Sequence, residues 1–310
     1  MGITAGETII NRRRFLKSAI GMGVAAGTSA ANISSVKERL PQKSREAVLK
    51  LSSLEHLVKG TSLRDKVVKL ERWGANGIEL LGKGLPGRVK GVEEALKGTN
   101  IKVSAVCAGY KGALISHQPA ERKKAVRTIK EILTAAGQVG AGGMIIVPAF
   151  NKQTKLDNKE GRKVLVDLLP QLGEHACKCG TRVLMEPLNR REAFFLRLLA
   201  DAAAICRDVN HPCVAMMGDF YHMTVEETSD MGAFISAGKY LHHVHIASRI
   251  RRYYPGQDGK SFVDGFRGLK MIGYNGCVSL ECTSTVKGDS DVEIPKSFGY
   301  LQKQWQQVCK

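Results

Sequence analysis

Four ionisable side chains stand where apolar runs stop. Glu186 follows Val183-Leu184-Met185, and Asp219 closes the run that begins at Cys213. His245 lies within the stretch Leu241 to Ser248, and Glu281 follows Val278-Ser279-Leu280. Burying a charge is costly unless it is paired or bound to a metal. Taken singly, each acid reads as a helix cap or a solvated loop residue, and His245, in the run His242-His243-Val244-His245, reads as a core histidine. Taken together, three carboxylates and one imidazole repel unless a cation sits among them. Their mixed oxygen and nitrogen donors suit one divalent ion: Mn²⁺, Mg²⁺, Co²⁺ or Zn²⁺.

The elements that must position these groups follow from hydrophobic periodicity. Strand-length apolar runs occupy residues 47–53, 77–82, 102–109, 142–150, 181–189, 213–220, 241–248 and 276–283. Amphipathic stretches stand between most of them; Leu63, Val67, Val68 and Leu70 share one side of a helix. Regular alternation predicts a parallel sheet with crossover helices. Eight units predict an α/β fold of the closed (β/α)₈ TIM-barrel type, with its site at the C-terminal ends of the strands. No G-x-G-x-x-G follows the first strand and no phosphate-binding loop motif is present, which argues against the common nucleotide folds. Consecutive strands of a closed barrel are neighbours, so Glu186, Asp219, His245 and Glu281 should converge.

The stretches "MEPLNRRE", "GDFYHM", "HVHIASRIRRYYPG" and "GCVSLE" resemble the divalent-metal sugar isomerase and epimerase superfamily of xylose-isomerase-like barrels, over roughly residues 45–305. Within it they are most similar to the ketose 3-epimerase and hydroxypyruvate isomerase branch. The resemblance implies that Glu186, Asp219, His245 and Glu281 are metal ligands, and that Glu186 and Glu281 are also the paired acid/base carboxylates. It makes His222 and Arg251 ligands of a substrate oxygen, and Glu192 the carboxylate that orients His222. The implied reaction removes a proton next to a carbonyl and passes through an enediolate. A sugar is the implied small-molecule partner. A 3-keto-glycoside lyase, working by β-elimination at the same site, is the alternative. An apurinic-type endonuclease would want a larger multi-metal ligand set, and a non-catalytic sugar-binding barrel would have no use for four intact ligands. Two departures concern the sugar contacts: Ser248 stands where the family often has aspartate, and the following loop reads Gln257-Asp258-Gly259-Lys260. Glu79 in the second strand has two open roles, substrate contact or pairing with a basic residue. Tyr253 and Tyr254 either stack on a sugar or belong to an ordinary aromatic loop.

The N-terminus carries Arg12-Arg13 ahead of a mildly apolar Gly/Ala-rich segment too short to span a bilayer, then small residues up to Ala31. This order resembles a twin-arginine signal over residues 1–31, followed by a polar linker at 32–47 and the barrel at 48–310. It implies the twin-arginine export machinery as a partner, and a periplasmic or otherwise exported protein without stable membrane insertion. The net charge of +18 describes a basic, solvated surface. Aromatic residues make up only 6% and no nucleic-acid-binding motif is present, which argues against nucleic acid as a partner. A homo-oligomer is compatible with the sequence. The eight cysteines do not have the spacing of a small disulfide scaffold, and Cys177-Lys178-Cys179 is C-x-C rather than C-x-x-C. Most of them are expected to be buried thiols.

Overall fold

The computed structural model describes residues 46–283 and 288–308. The expected signal and nearly all of the linker lie outside the described residues. The element order is β1 (Lys50–Ser53), α1 (Leu63–Arg72), β2 (Gly77–Leu81), α2 (Val89–Leu96), β3 (Lys102–Cys107), α3 (Pro119–Gln138), β4 (Met144–Ile146), α4 (Asn158–Lys178), β5 (Val183–Met185), α5 (Leu199–Val209), β6 (Val214–Asp219), α6 (Phe220–Glu226), α7 (Asp230–Ala237), β7 (Leu241–Ile246), α8 (Val263–Met271), β8 (Cys277–Leu280) and α9 (Ser290–Gln306). Eight parallel strands run in the order β1-β8-β7-β6-β5-β4-β3-β2, as the alternation predicts. Seven adjacent pairs form ladders, and the remaining junction, β1 to β2, is closed by a single bridge between Leu54 and Glu79. This is a TIM barrel.

The observed strands are shorter than the apolar runs that announced them. Residues such as Val147, Leu188 and Ala247 stay buried but leave the ladder to enter the loops above the barrel. The eight-residue helix α2, flanked by glycines, was not anticipated, because its pattern covers only two turns. Helix α6 begins directly at Phe220, so the sixth strand feeds a helix with no loop between. Serine and aspartate capping boxes start α1 at Ser62 and α4 at Asp157, satisfying orphan N–H groups.

Side-chain parity decides what the barrel holds. Successive residues of a strand face opposite sides. Ala105, Ile145, Leu184, Ala215 and Met217 form a cluster inside the barrel. Val183, Met185, Val214, Met216, Val244, Ile246, Val278 and Leu280 belong to the main core between the sheet and its helices. Two residues beyond Leu184 and Met217 come Glu186 and Asp219, which therefore face inward, above the cluster. By the same count His243, His245, Ser279 and Glu281 face inward, as does Glu79 between the outward Ile78 and Leu80.

Two of the cysteines are not thiols. Cys177, at the end of α4, is bonded to Cys213, just before β6. Among the described residues Cys107, Cys179, Cys206, Cys277 and Cys282 are free. Burial raises the thiol pKa of Cys107, Cys206, Cys277 and Cys282, which keeps them protonated.

Candidate metal and acid/base centre

Ligand atoms of Glu186, Asp219, His245 and Glu281 lie within 4.8 Å of one another at the C-terminal ends of β5 to β8. All four sequence-derived ligands are thus brought together. His245 Nδ1 stands 2.7 Å from Glu281 Oε2 and 3.6 Å from Glu186 Oε1. The other ring nitrogen, Nε2, is 2.8 Å from Glu79 Oε1. Asp219 divides its two oxygens: Oδ1 caps α6 by accepting from Tyr221 N–H at 2.8 Å, and Oδ2 faces the centre. One carboxylate therefore caps a helix with one oxygen and leaves the other in position to be a ligand.

The sequence did not reveal the arginine of the centre. Arg251 is exposed. Its neighbour Arg252 turns inward, bonding Asp219 Oδ2 at 2.8 Å and also Glu281, with its guanidinium over the Tyr221 ring. The turn that does this puts Arg252 at φ +57°, a backbone region non-glycine residues rarely adopt. Ser248 braces it, taking Tyr253 N–H on its hydroxyl and Arg252 N–H on its carbonyl. Ser248 is therefore a buried loop brace. Tyr254 belongs to the core, whereas Tyr253 is only partly buried.

His222 is buried beside Asp219, its Nε2 3.4 Å from Oδ2. Its Nδ1 takes the Asn189 side-chain amide at 2.7 Å and the Asn189 backbone N–H at 3.2 Å. The Asn189 amide orientation is fixed from its other end, because Oδ1 accepts from Arg191 N–H. Two donors on Nδ1 leave the ring proton on Nε2, facing the site. Glu192 lies 3.8 Å from Nδ1 and reaches the Asn189 amide instead, so it acts on His222 through Asn189. Asn189 was missed; the signal was its place in the same "EPLNRRE" stretch.

The electrostatics separate the two carboxylates. Burial raises the pKa of Glu186, and the Glu281 charge adds to that rise. Glu281 is only partly open to solvent and desolvation alone would raise its pKa, but the His245 and Arg252 charges outweigh that and hold it down at about 2. Burial disfavours a charged His245, yet Glu281 and Glu79 outweigh it and raise its pKa. The donor set fits a divalent ion. His245 Nδ1 is a buried nitrogen with no hydrogen-bond partner and points at the carboxylates; with Nε2–H given to Glu79, it is the nitrogen that can coordinate once it has shed its proton.

Residues 67–304 match the family described as xylose isomerase-like TIM barrel. The chain belongs to this family. A 3-dehydro-D-guloside 4-epimerase of Escherichia coli (strain K12) is 32% identical over 232 residues, 71% of this chain and 87% of that protein. A D-psicose 3-epimerase of Ruminiclostridium cellulolyticum is 32% identical over 126 residues, 41% of this chain and 43% of that one. The solved apo structure of a 3-keto-D-glucoside 4-epimerase from E. coli superposes with a TM-score of 0.76 at 28% identity, covering 83% of this chain and 100% of that one. The family member described here is accordingly an enzyme of the isomerase and epimerase kind. No helix among the described residues is long and apolar enough to cross a membrane.

Proposed function

We propose that this enzyme inverts a carbon next to the carbonyl of a keto sugar, and that its substrate class is the 3-keto-glycosides, with C4 as the reacting carbon. The observation that carries the reading is the pair Glu186 and Glu281, two carboxylates whose oxygens lie with those of Asp219 and a nitrogen of His245 within 4.8 Å of one another around one candidate cation site. A proton next to a carbonyl is too weakly acidic for an unaided carboxylate. A divalent ion held by Glu186, Asp219, His245 and Glu281 would supply the missing charge stabilisation at the carbonyl oxygen. One carboxylate takes the C–H proton and the electron pair moves onto the oxygen. The other carboxylate, on the opposite side of the sugar, delivers a proton to the second face. His222 donates its Nε2–H to a sugar oxygen, and Arg252 offers a second positive contact. The similarity to the E. coli 4-epimerase over 87% of its length supports the choice of substrate class over free ketoses.

Incubation with 3-keto-glucosides in D₂O tests this. The expected result is deuterium at C4, a C4 epimer and an intact glycosidic bond. Release of the aglycone with an unsaturated keto sugar would assign the enzyme to β-elimination instead. Exchange on free ketoses alone would move the substrate class.

We also propose that the protein is exported by the twin-arginine route. The Cys177–Cys213 bond supports this, since such bonds persist in oxidising compartments. Cell fractionation of an Arg12→Lys/Arg13→Lys variant checks it, and unchanged export would remove the claim.

A further inference from the structure

We propose that Glu79 and His243 form a buried clamp that fixes which nitrogen His245 presents to the metal, making Glu79 a positioning residue of the centre. The proposal rests on the metal reading above and extends it to the opposite side of the barrel.

Glu79 comes from β2, whereas the four ligands come from β5 to β8. Its carboxylate is fully buried in the barrel interior, and each oxygen meets one imidazole. Oε1 is 2.8 Å from His245 Nε2, and Oε2 is 2.9 Å from His243 Nε2. An ionised carboxylate can only accept, so both nitrogens must carry hydrogen. His245 is thereby held as the Nε2–H tautomer, with Nδ1 turned to Glu186 and Glu281. Among the described residues His243 pairs with Glu79 and is not one of the four candidate ligands. It is buried, its ring crosses that of His245 nearly at right angles at 5.2 Å, and its hydrogen bond takes up the second oxygen of Glu79. With both oxygens held, the carboxylate cannot rotate away from His245. A carboxylate behind a ligating imidazole also raises the basicity of the coordinating nitrogen.

Glu79 is fixed in turn from the backbone side. Its carbonyl accepts from Glu55 N–H at 2.8 Å, and the residue pairs with Leu54 in the one bridge between β1 and β2 among the described residues. Its geometry thus settles the open question of the sequence: Glu79 pairs with basic residues.

The test is metal affinity rather than turnover. Metal-free wild type and Glu79→Gln are titrated with Co²⁺ and with Zn²⁺ against a competing chelator, and the Co²⁺ visible spectrum is recorded. Glutamine keeps the size but carries one donor end, so it cannot accept from both rings. The expected result is a roughly 10- to 100-fold weaker affinity and an altered Co²⁺ spectrum. Glu79→Asp, which keeps the charge, should recover part of the loss. Wild-type affinity and spectrum in a folded Glu79→Gln overturn the role. A measurement independent of any variant uses ¹⁵N-histidine NMR of the Zn²⁺-loaded wild type. A ring proton on His245 Nε2 supports the clamp, and one on Nδ1 overturns it. Failure of wild type to bind either ion would overturn the centre itself together with the clamp, whereas normal wild-type binding with an unaffected Glu79→Gln removes the clamp alone.

Discussion

The Cys177–Cys213 bond closes a loop of 36 residues that contains β5 and α5 and, with them, Glu186, Asn189 and Glu192. Opening it by a Cys177→Ser/Cys213→Ser replacement releases that loop in the unfolded chain only. Cys177 is exposed and Cys213 partly so; the serines are nearly isosteric, and no core cavity is created. The loss is therefore the chain-entropy term, about 2 cal/mol/K plus 1.5R ln 36, which amounts to about 4 kcal/mol at 25 °C. For a chain of this size that corresponds to a drop in Tm of about 6–8 °C. The assay is guanidinium unfolding of metal-free protein, so that ion binding does not add its own stabilisation. Oxidised wild type, reduced wild type and the double-serine variant are compared, with free thiols counted in each. Both thiol-free-bond forms should lose about the same stability. At 25 °C kcat should be unchanged, because the native contacts of Glu186 are untouched. A difference below about 1 kcal/mol, with the bond fully formed by thiol count, would refute the reasoning.

Replacing Asp219 or His245 with alanine should abolish loading of a divalent ion; full occupancy by elemental analysis in both variants would remove the assignment. Glu281→Gln should lose about 10²-fold or more in kcat with the barrel still folded by circular dichroism, the usual scale for a positioned acid/base. Metal binding should release protons near neutral pH, because the charged neighbours of His245 hold a proton on it that the ion must displace; titration calorimetry in buffers of different ionisation enthalpy reads this directly. His242 should impose acid sensitivity. Burial, helped by the Arg182 charge, pushes its pKa down to about 4, so between about pH 6.5 and 4 the unfolded chain binds a proton that the native chain refuses. Stability should fall by about 3 kcal/mol as pH drops through that window, and His242→Gln should flatten this part of the denaturation profile.

The ligand set was legible because two patterns coincide at each position: an apolar run marks a strand, and a side chain two residues past an interior residue must face the interior. Glu186 after Leu184 and Asp219 after Met217 obey that count without any knowledge of the loops. Loop residues do not. Arg251 and Arg252 are adjacent and chemically alike, and only the left-handed turn at Arg252 decides which guanidinium enters the centre. Asn189 and Glu192 fall in an irregular stretch after β5, where no period says which one touches His222. The pairing of Cys177 with Cys213 joins the end of α4 to the start of β6 across an intervening strand and helix, a relation that spacing alone does not encode.

The closure between β1 and β2 has a dynamic consequence. Elsewhere neighbouring strands share a ladder, but here the junction has one bridge, supplemented by Asn76 N–H on Leu51 O, Leu51 N–H on the Asn76 side chain, and Leu81 N–H on the Glu55 carboxylate. Two of those bonds end on side chains that can let go one at a time. Opening free energies differ between regions of a native protein and are lowest where backbone bonds are few. Amide protons along this line should therefore exchange with solvent earlier than those in the ladders linking β5 to β8. Those four strands carry every proposed metal ligand, so opening along this line would leave their backbone spacing alone and act on the centre only through Glu79 and its hold on His245.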